Sequence, residues 1–197
     1  MLAKSPEHLV IDRLETPIGA ALMAVDGEGY LRAFDWEDYG DRQVKLLARF
    51  AKGASMTPGA APAAMRQVIE AYFDGELDAL RSIPWRSGGT AFQLKCWEAL
   101  CAIPTGTTAS YGEQAHKIGK PSAMRAVGLA NGCNPVGVIV PCHRVIGANG
   151  SITGYGGGLW RKRWLLRHEG ASFRDDVDVL EARGGAGSTQ ARLRAQA

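Results

Sequence analysis

The chain has 197 residues, 46% of them hydrophobic, which is enough for one large domain or two small ones with buried cores. No apolar run approaches the roughly 18 to 20 residues that cross a bilayer, and the N-terminus lacks the apolar stretch of a signal peptide, so we expect a cytoplasmic protein without a membrane span. The net charge of +3 is unevenly distributed: residues 1–89 carry 10 basic and 13 acidic side chains, residues 90–170 carry 9 and 3, and residues 171–197 carry 4 and 4. The excess of positive charge therefore lies in residues 90–170. It indicates either a surface that binds a polyanion or only a solvated basic face.

Short apolar runs separated by turns predict a three-stranded antiparallel meander at the start of the chain. The expected strands are residues 8–14, 20–25 and 30–36, with turns around Gly19 and Gly29 between them.

Two helices are expected after the meander, at about residues 41–50 and 63–73, because apolar residues there recur at helical spacing. A loop rich in Pro, Gly and Ala, residues 57–62, joins them, and Gly75 ends the second helix. Residues 84–89 (PWRSGG) are typical of a linker, so we place a domain boundary after residue 89.

The segment after this boundary begins with a capping box, residues 90–93 (TAFQ), that opens an amphipathic helix. A second capping box, residues 110–113 (SYGE), opens a short helix that ends at Gly119. Ser122 is the expected N-cap of a third helix, which ends near Gly132. Two short helices joined by a tight turn make a helix-turn-helix, which binds DNA in some proteins and is only a packing unit in others.

The apolar run 136–140 is typical of a buried strand or extended segment that leads into Pro141 and Cys142. Residues 159–168 have the pattern of a last helix, closed by Gly170. From residue 171 to residue 197 the apolar residues are sparse, which predicts a flexible tail.

Cys142 is the candidate nucleophile because His143 and Arg144 follow it directly. A thiol attacks as the thiolate, so it needs a base or cationic surroundings that lower its pKa. Neighbours on an extended chain point to opposite faces, so His143 reaches the sulfur only through a turn or a bridging water. The alternative is a small buried hydrophobe. Because the four cysteines show no Cys-x-x-Cys spacing, we expect reduced thiols and no metal site.

Glu169 and Asn134 are candidate partners of this pair. Glu169 lies in the last turn of a predicted helix, facing the negative end of the helix dipole, so a basic group such as His143 should offset the cost. The result would be a Cys-His-Glu chain, although a solvated Glu169 is equally compatible. Asn134 is either a turn residue or a brace for the Pro-Cys bend.

The third helix has two faces of small residues, with Arg125, Gly128 and Leu129 on one of them. Small side chains let a helix approach a DNA groove, where a long Arg125 could insert into the base stack, but they equally allow tight helix packing. Tyr111 is either a core residue or a contact to a phosphate or base edge.

Together these residues resemble the O6-alkylguanine-DNA alkyltransferase family, whose members are also called methylated-DNA–protein-cysteine methyltransferases. The match is dense over residues 90–170, whereas the first 89 residues match only in their strand-then-helix layout. The matching segments are residues 90–93 (TAFQ), Trp97, 110–113 (SYGE), 125–128 (RAVG), 134–135 (NP), 140–147 (VPCHRVIG), 154–155 (GY), 157–159 (GGL), 165–166 (LL) and 169–170 (EG).

The resemblance implies an α+β fold: a ribonuclease-H-like domain with an antiparallel sheet and helices over residues 1–89, then a mostly helical, winged helix-turn-helix-like domain over 90–170. It also implies direct DNA repair, in which the alkyl group of O6-alkylguanine, and of O4-alkylthymine, moves from a flipped-out base to the protein. No cofactor is implied, and because nothing in the sequence offers a way to hydrolyse the thioether, each molecule should act once.

By the same resemblance, Cys142 accepts the alkyl group, His143 is its base through a water, Glu169 orients His143, and Asn134 braces the turn. Double-stranded DNA is the implied partner, bound in the minor groove by a monomer, with cooperative binding left open. The implied DNA contacts are Arg125, which fills the gap left by the flipped base, Tyr111, which helps rotate the nucleotide and donates a proton, and Lys120, Ala126 and Gly128.

Val145, Tyr155, Gly156 and Gly157 would shape the base pocket. This sequence departs from the family pattern at Gly156, at Gly137 and at Lys120, which affects the range of alkyl groups rather than the reaction.

Three alternative functions are a binding module that recognises alkylated guanine without repair, a cysteine hydrolase, and a helix-turn-helix transcription regulator. The retained Cys142 argues against the first.

Overall fold

The computed structural model describes residues 5–175 and shows a mixed α/β protein with a four-stranded sheet. The sheet order is β3-β2-β1-β4, and the first three strands pair antiparallel, which confirms the predicted meander. Its strands are β1 (His8–Leu14), β2 (Ala21–Asp26), β3 (Leu31–Trp36) and β4 (Ser55–Pro58).

Strand β4 was missed, because residues 57 and 58 fall in the predicted loop 57–62. All four of its residues are exposed and show no alternation, so no local pattern marks them as a strand. Strand β4 pairs in parallel with β1, where His8 lies opposite Ser55. The free edge of β1 supplies the hydrogen-bonding partner of β4. Because that edge is distant in the chain, the residues of β4 themselves carry no sign of the pairing.

Helices α1 (Gly40–Phe50) and α2 (Ala63–Phe73) confirm the two predicted helices. Each buries one side: α1 turns Leu46 and Phe50 inward, and α2 turns Ile69 and Tyr72 inward. Gly75, with φ +112°, follows α2 as expected, since that conformation suits a residue without a Cβ.

The second half is mostly helical, and both predicted capping boxes are present, at Thr90 and at Ser110. Ser122, in contrast, is not an N-cap: Ala123 takes that position, and its amide donates to Lys120 O in the preceding turn, so the helix begins one residue later. The elements are α3 (Ala91–Cys101), β5 (Ala109–Ser110), α4 (Tyr111–Lys117), α5 (Met124–Gly132), β6 (Val145–Ile146) and α6 (Leu159–His168).

The apolar run 136–140 is buried but is not a strand, so that prediction is wrong. Only Val136 forms a β-bridge, to Phe34 of β3, after which Val138 takes a positive φ of 68°. The amide of Val140 then donates back to Val136 O at 2.9 Å. The run therefore folds into a compact turn, which Asn134 closes by bonding both Val136 N and Val140 O, and burial alone does not distinguish a turn from a strand.

One hydrophobic cluster crosses the proposed boundary at residue 89, since it contains Phe34 and Trp36 from the first half and Trp97 and Leu165 from the second. Trp85, in the proposed linker, forms a bridge to β3. The division into domains remains a prediction. Of the predicted tail, residues 176–197 lie outside the described residues, whereas Ala171 is buried. None of the helices in residues 5–175 is long and apolar enough to cross a membrane.

Candidate active site

Cys142 lies at the start of a 3-10 turn, Cys142–Arg144, at the end of the buried reversal. The turn changes the direction in which successive side chains point. His143 is completely buried and Arg144 nearly so, while Cys142 retains partial exposure. The thiol is thus the member of this trio that faces outward.

The side chain of Asn134 spans the reversal. Its Nδ2 donates to Val140 O at 2.8 Å and to Cys142 Sγ at 3.4 Å, and its Oδ1 accepts from the Val136 amide at 3.0 Å. The amide therefore fixes both arms of the turn and the sulfur itself, which is the bracing geometry rather than that of a simple turn residue.

His143 and Glu169 form a buried pair, with Nε2 and Oε1 3.0 Å apart. Glu169 follows α6 directly, at the negative end of the helix dipole, and basic groups offset that cost as expected. Arg144 donates to both carboxylate oxygens, at 2.8 and 2.9 Å, and Tyr72 OH donates to Oε1 at 2.9 Å. The carboxylate is therefore not solvated.

The protonation states follow from these contacts. Burial by itself would raise the pKa of Glu169, but His143 and Arg144 hold it well below its ordinary value, so the group is an anion. An ionised carboxylate only accepts, so Nε2 of His143 carries a proton. Burial lowers the pKa of His143 despite Glu169, which leaves a neutral ring with Nδ1 as its basic nitrogen. Nδ1 is buried and has no hydrogen-bond partner among residues 5–175.

The Cys142 thiol is protonated at rest. Burial raises its pKa, and the Asn134 amide and the charges of Arg42 and Lys162 oppose this shift only in part. A base must therefore remove the proton when the thiol reacts.

Lys162 is a fully buried lysine on α6. Its Nζ donates to Val145 O and Thr153 O at 2.6 Å each, and burial lowers its pKa to about 8. The ammonium ties β6 to the loop before α6 and places a positive charge near Cys142.

Two glycines of the loop before α6, Gly156 and Gly157, lie close to side chains of the first half of the chain. A Cβ at Gly157 would lie 2.3 Å from the Trp36 ring, and a Cβ at Gly156 would lie 2.5 Å from Arg42 Nε. Tyr155 is half-buried beside them and burial raises its pKa well above 10, so its hydroxyl stays neutral. The resemblance assigns Val145 and this loop to the base pocket, and that assignment stays a prediction; Val145 itself is buried.

Helix α5 turns one side to solvent and packs the other on the core. Arg125 and Ala126 are exposed. The Tyr111 ring packs over Gly128 in the middle of the helix, where an added Cβ would lie 3.6 Å from the ring, an ordinary van der Waals distance. Tyr111 is half-buried, and its hydroxyl accepts a hydrogen bond from Thr153 at 3.5 Å. Lys120 is exposed in the turn between α4 and α5.

Comparison with known proteins points to one family. The family model described as 6-O-methylguanine DNA methyltransferase, DNA binding domain, matches residues 91–171. A methylated-DNA–protein-cysteine methyltransferase from Shigella flexneri is 44% identical over 165 residues, which are 83% of this chain and 96% of that protein. One from Mycobacterium bovis is 52% identical over 124 residues, or 63% of this chain and 74% of that protein.

The chain belongs to the methylated-DNA–protein-cysteine methyltransferase family. Solved structures agree with this assignment. The Mycobacterium tuberculosis O6-methylguanine methyltransferase is 40% identical, with a TM-score of 0.66 over 87% of this chain and 98% of that chain. The structure of Mycobacterium tuberculosis OGT in complex with DNA is 41% identical, with a TM-score of 0.68 over 81% of this chain and 92% of that chain.

The sequence, through its resemblance to the methyltransferase family, predicted four residues of the site: Cys142, His143, Glu169 and Asn134. It did not predict several of their neighbours. Arg42 pairs with Asp35 and donates to Asn134 O at 3.1 Å, and Tyr72 binds Glu169. Both come from the first half of the chain and carry no motif of their own. Lys162 was missed as well, although a local pattern marked it: a lysine on the apolar side of a predicted helix must be buried with partners.

Proposed function

We propose that the protein repairs alkylated DNA by transferring the alkyl group from O6 of guanine to the sulfur of Cys142. One observation carries the proposal: the protonated, partly exposed thiol of Cys142 is followed in the chain by His143, a neutral imidazole whose basic nitrogen has no partner among residues 5–175 and whose other nitrogen is held by a buried anion. The names of the relatives describe the same chemistry, with methylated DNA as donor and a protein cysteine as acceptor.

In the proposed reaction, Nδ1 of His143 takes the thiol proton through a bridging water, and Glu169 stabilises the resulting imidazolium. The sulfur forms a bond to the alkyl carbon, whose bond to O6 breaks, and the electron pair stays on guanine. The Tyr111 hydroxyl donates a proton to this leaving base. The product is a thioether, which none of these groups hydrolyses, so each chain reacts once.

On the DNA side, we propose that α5 enters the minor groove, as the exposed Ala126 and the half-buried Gly128, both small, allow close approach. Arg125 projects from the same surface and would fill the gap left by the flipped base. Lys120 would contact a phosphate at the turn. Lys117, Lys120 and Arg125 are exposed on α4, in the turn and on α5, and their positive charge supports this face as the polyanion surface.

The flipped base would lie against Val145 and the loop Tyr155, Gly156 and Gly157, with its alkyl group toward Cys142. O4-alkylthymine presents a similar alkylated oxygen and is a second proposed substrate. We propose that the protein acts as a monomer in the cytoplasm.

The test is to incubate the full chain with duplex DNA that carries O6-[³H]methylguanine and to follow the label. We expect about one label per chain to remain on the denatured protein, no label on Cys142→Ala, and normal labelling of the matched control Cys101→Ala. Label released repeatedly into solution would indicate a hydrolase, and binding without any transfer would indicate a recognition module. Either outcome would overturn the proposal.

A further inference from the structure

Four hydrogen bonds converge on the carboxylate of Glu169, and one of them comes from the first half of the chain. Oε1 accepts from His143 Nε2 at 3.0 Å, from Arg144 Nη2 at 2.9 Å and from Tyr72 OH at 2.9 Å, while Oε2 accepts from Arg144 Nε at 2.8 Å. The exposed fraction of Tyr72 is 0%, as is that of the Glu169 side chain. Tyr72 and His143 thus share one oxygen atom, out of contact with solvent.

The hydroxyl of Tyr72 is a permanent donor in this arrangement. Burial, together with the negative Glu169, raises the pKa of Tyr72 well above 10, so the hydroxyl does not ionise near neutral pH. Its ring is also held in place: it packs edge-on to Phe73 and His168 with centroids 5.2 and 5.1 Å away, and His168 Nε2 lies 2.7 Å from the Tyr72 carbonyl. Helix α2 therefore delivers a fixed hydrogen-bond donor to the site.

We propose that Tyr72 is a positioning residue of the alkyl-transfer relay, which fixes Glu169 and moderates the pull of this carboxylate on His143. The proposal rests on the proposed function, because it concerns the same Cys142 reaction. It gives the first half of the chain a direct part in that reaction, although Tyr72 itself contacts neither the thiol nor the DNA base.

The physical effect has a definite direction. A hydrogen bond donated to a carboxylate withdraws negative charge from the shared oxygen, so less of that charge stabilises a protonated His143. The other charged groups around the relay are Arg144, which also binds Glu169, and Lys162, whose charge disfavours a protonated His143. Both remain when the Tyr72 hydroxyl is removed. Loss of that hydroxyl should therefore raise the pKa of His143, so that a protonated ring, which cannot accept the thiol proton, persists to higher pH.

The experiment measures the single-turnover rate of methyl transfer from duplex O6-methylguanine DNA between pH 5 and 9, at saturating DNA. Tyr72→Phe keeps the ring and removes only the hydroxyl, and Tyr30→Phe is the matched control, because the Tyr30 ring lies under Arg86 at the surface. We expect the acid midpoint of Tyr72→Phe to move up by about half to one pH unit, because only part of the energy of a hydrogen bond to the charged Glu169 is passed on to His143. Tyr30→Phe should match the parent.

Two further variants keep the test decisive. In a Glu169→Gln background, Tyr72→Phe should not move the midpoint, because the carboxylate through which it acts is gone. Incorporation of 3-fluorotyrosine at position 72, which strengthens the donor and preserves the packing, should move the midpoint down, and it replaces Tyr72→Phe if that variant does not fold.

A rate that falls equally at every pH, with all midpoints at the parental value, would show a purely structural role and would overturn the inference. A parent protein that transfers no label at any pH would instead overturn the proposed function. The two failures are therefore distinguishable.

Discussion

The buried ammonium of Lys162 should make the stability of this protein rise with pH in a defined window. Its side chain is completely buried, and burial lowers its pKa from 10.5 to about 8. Between pH 8 and 10.5 the unfolded chain therefore holds a proton on this lysine that the folded protein has lost. Because the unfolded state binds more protons there, the free energy of unfolding increases with pH.

The magnitude follows from the width of the window. A difference of one pKa unit corresponds to about 1.36 kcal/mol, so the contribution of Lys162 grows by about 3 kcal/mol across the window. Lys162→Met removes this term and leaves the carbonyls of Val145 and Thr153 without their buried donor, a loss of about 1–3 kcal/mol for each unsatisfied group.

The assay is urea unfolding of the parent and of Lys162→Met from pH 7 to 10.5, both in a Cys142→Ala background that removes the thiol charge. The quantity of interest is the difference in free energy of unfolding between the two proteins, since other groups titrate alike in both. We expect this difference to widen by about 3 kcal/mol from pH 8 to 10.5. A difference that stays constant would show that Lys162 titrates at its ordinary value and would refute the reasoning.

Three other substitutions give further checks. Asn134→Ala should lower the free energy of unfolding by about 1–3 kcal/mol in urea titration, because Val140 O loses a buried donor, and should slow methyl transfer; unchanged values of both would exclude the bracing role. Arg125→Ala should slow repair of duplex DNA about tenfold, equivalent to about 1.4 kcal/mol of lost base extrusion, but leave the reaction with free O6-methylguanine base unaffected; equal losses on both substrates would contradict this. Gly157→Ala should cost about 1–3 kcal/mol in thermal unfolding, since its Cβ would lie 2.3 Å from the Trp36 ring; a parental Tm would show that the loop yields freely.

Much of the fold could be predicted because the signals are local. Helix α2 occupies residues 63–73 and α6 residues 159–168, as predicted, and the two capping boxes close hydrogen bonds between residues only three positions apart. In each case, apolar spacing and terminal hydrogen bonds lie within the element itself. A candidate nucleophile could also be named, because Cys142 and His143 are neighbours in a motif shared with a known family.

The sequence by itself thus determined the helices, the meander, the thiol and the family. Only the tertiary structure decided that β4 pairs with β1, that the run 136–140 reverses instead of extending, and which groups surround the thiol. Tyr72 lies 97 residues from Glu169, and Arg42 lies 92 residues from Asn134. Such contacts form when the two halves bury a common core, so the energy that fixes them comes from packing between distant segments, for which no local pattern exists.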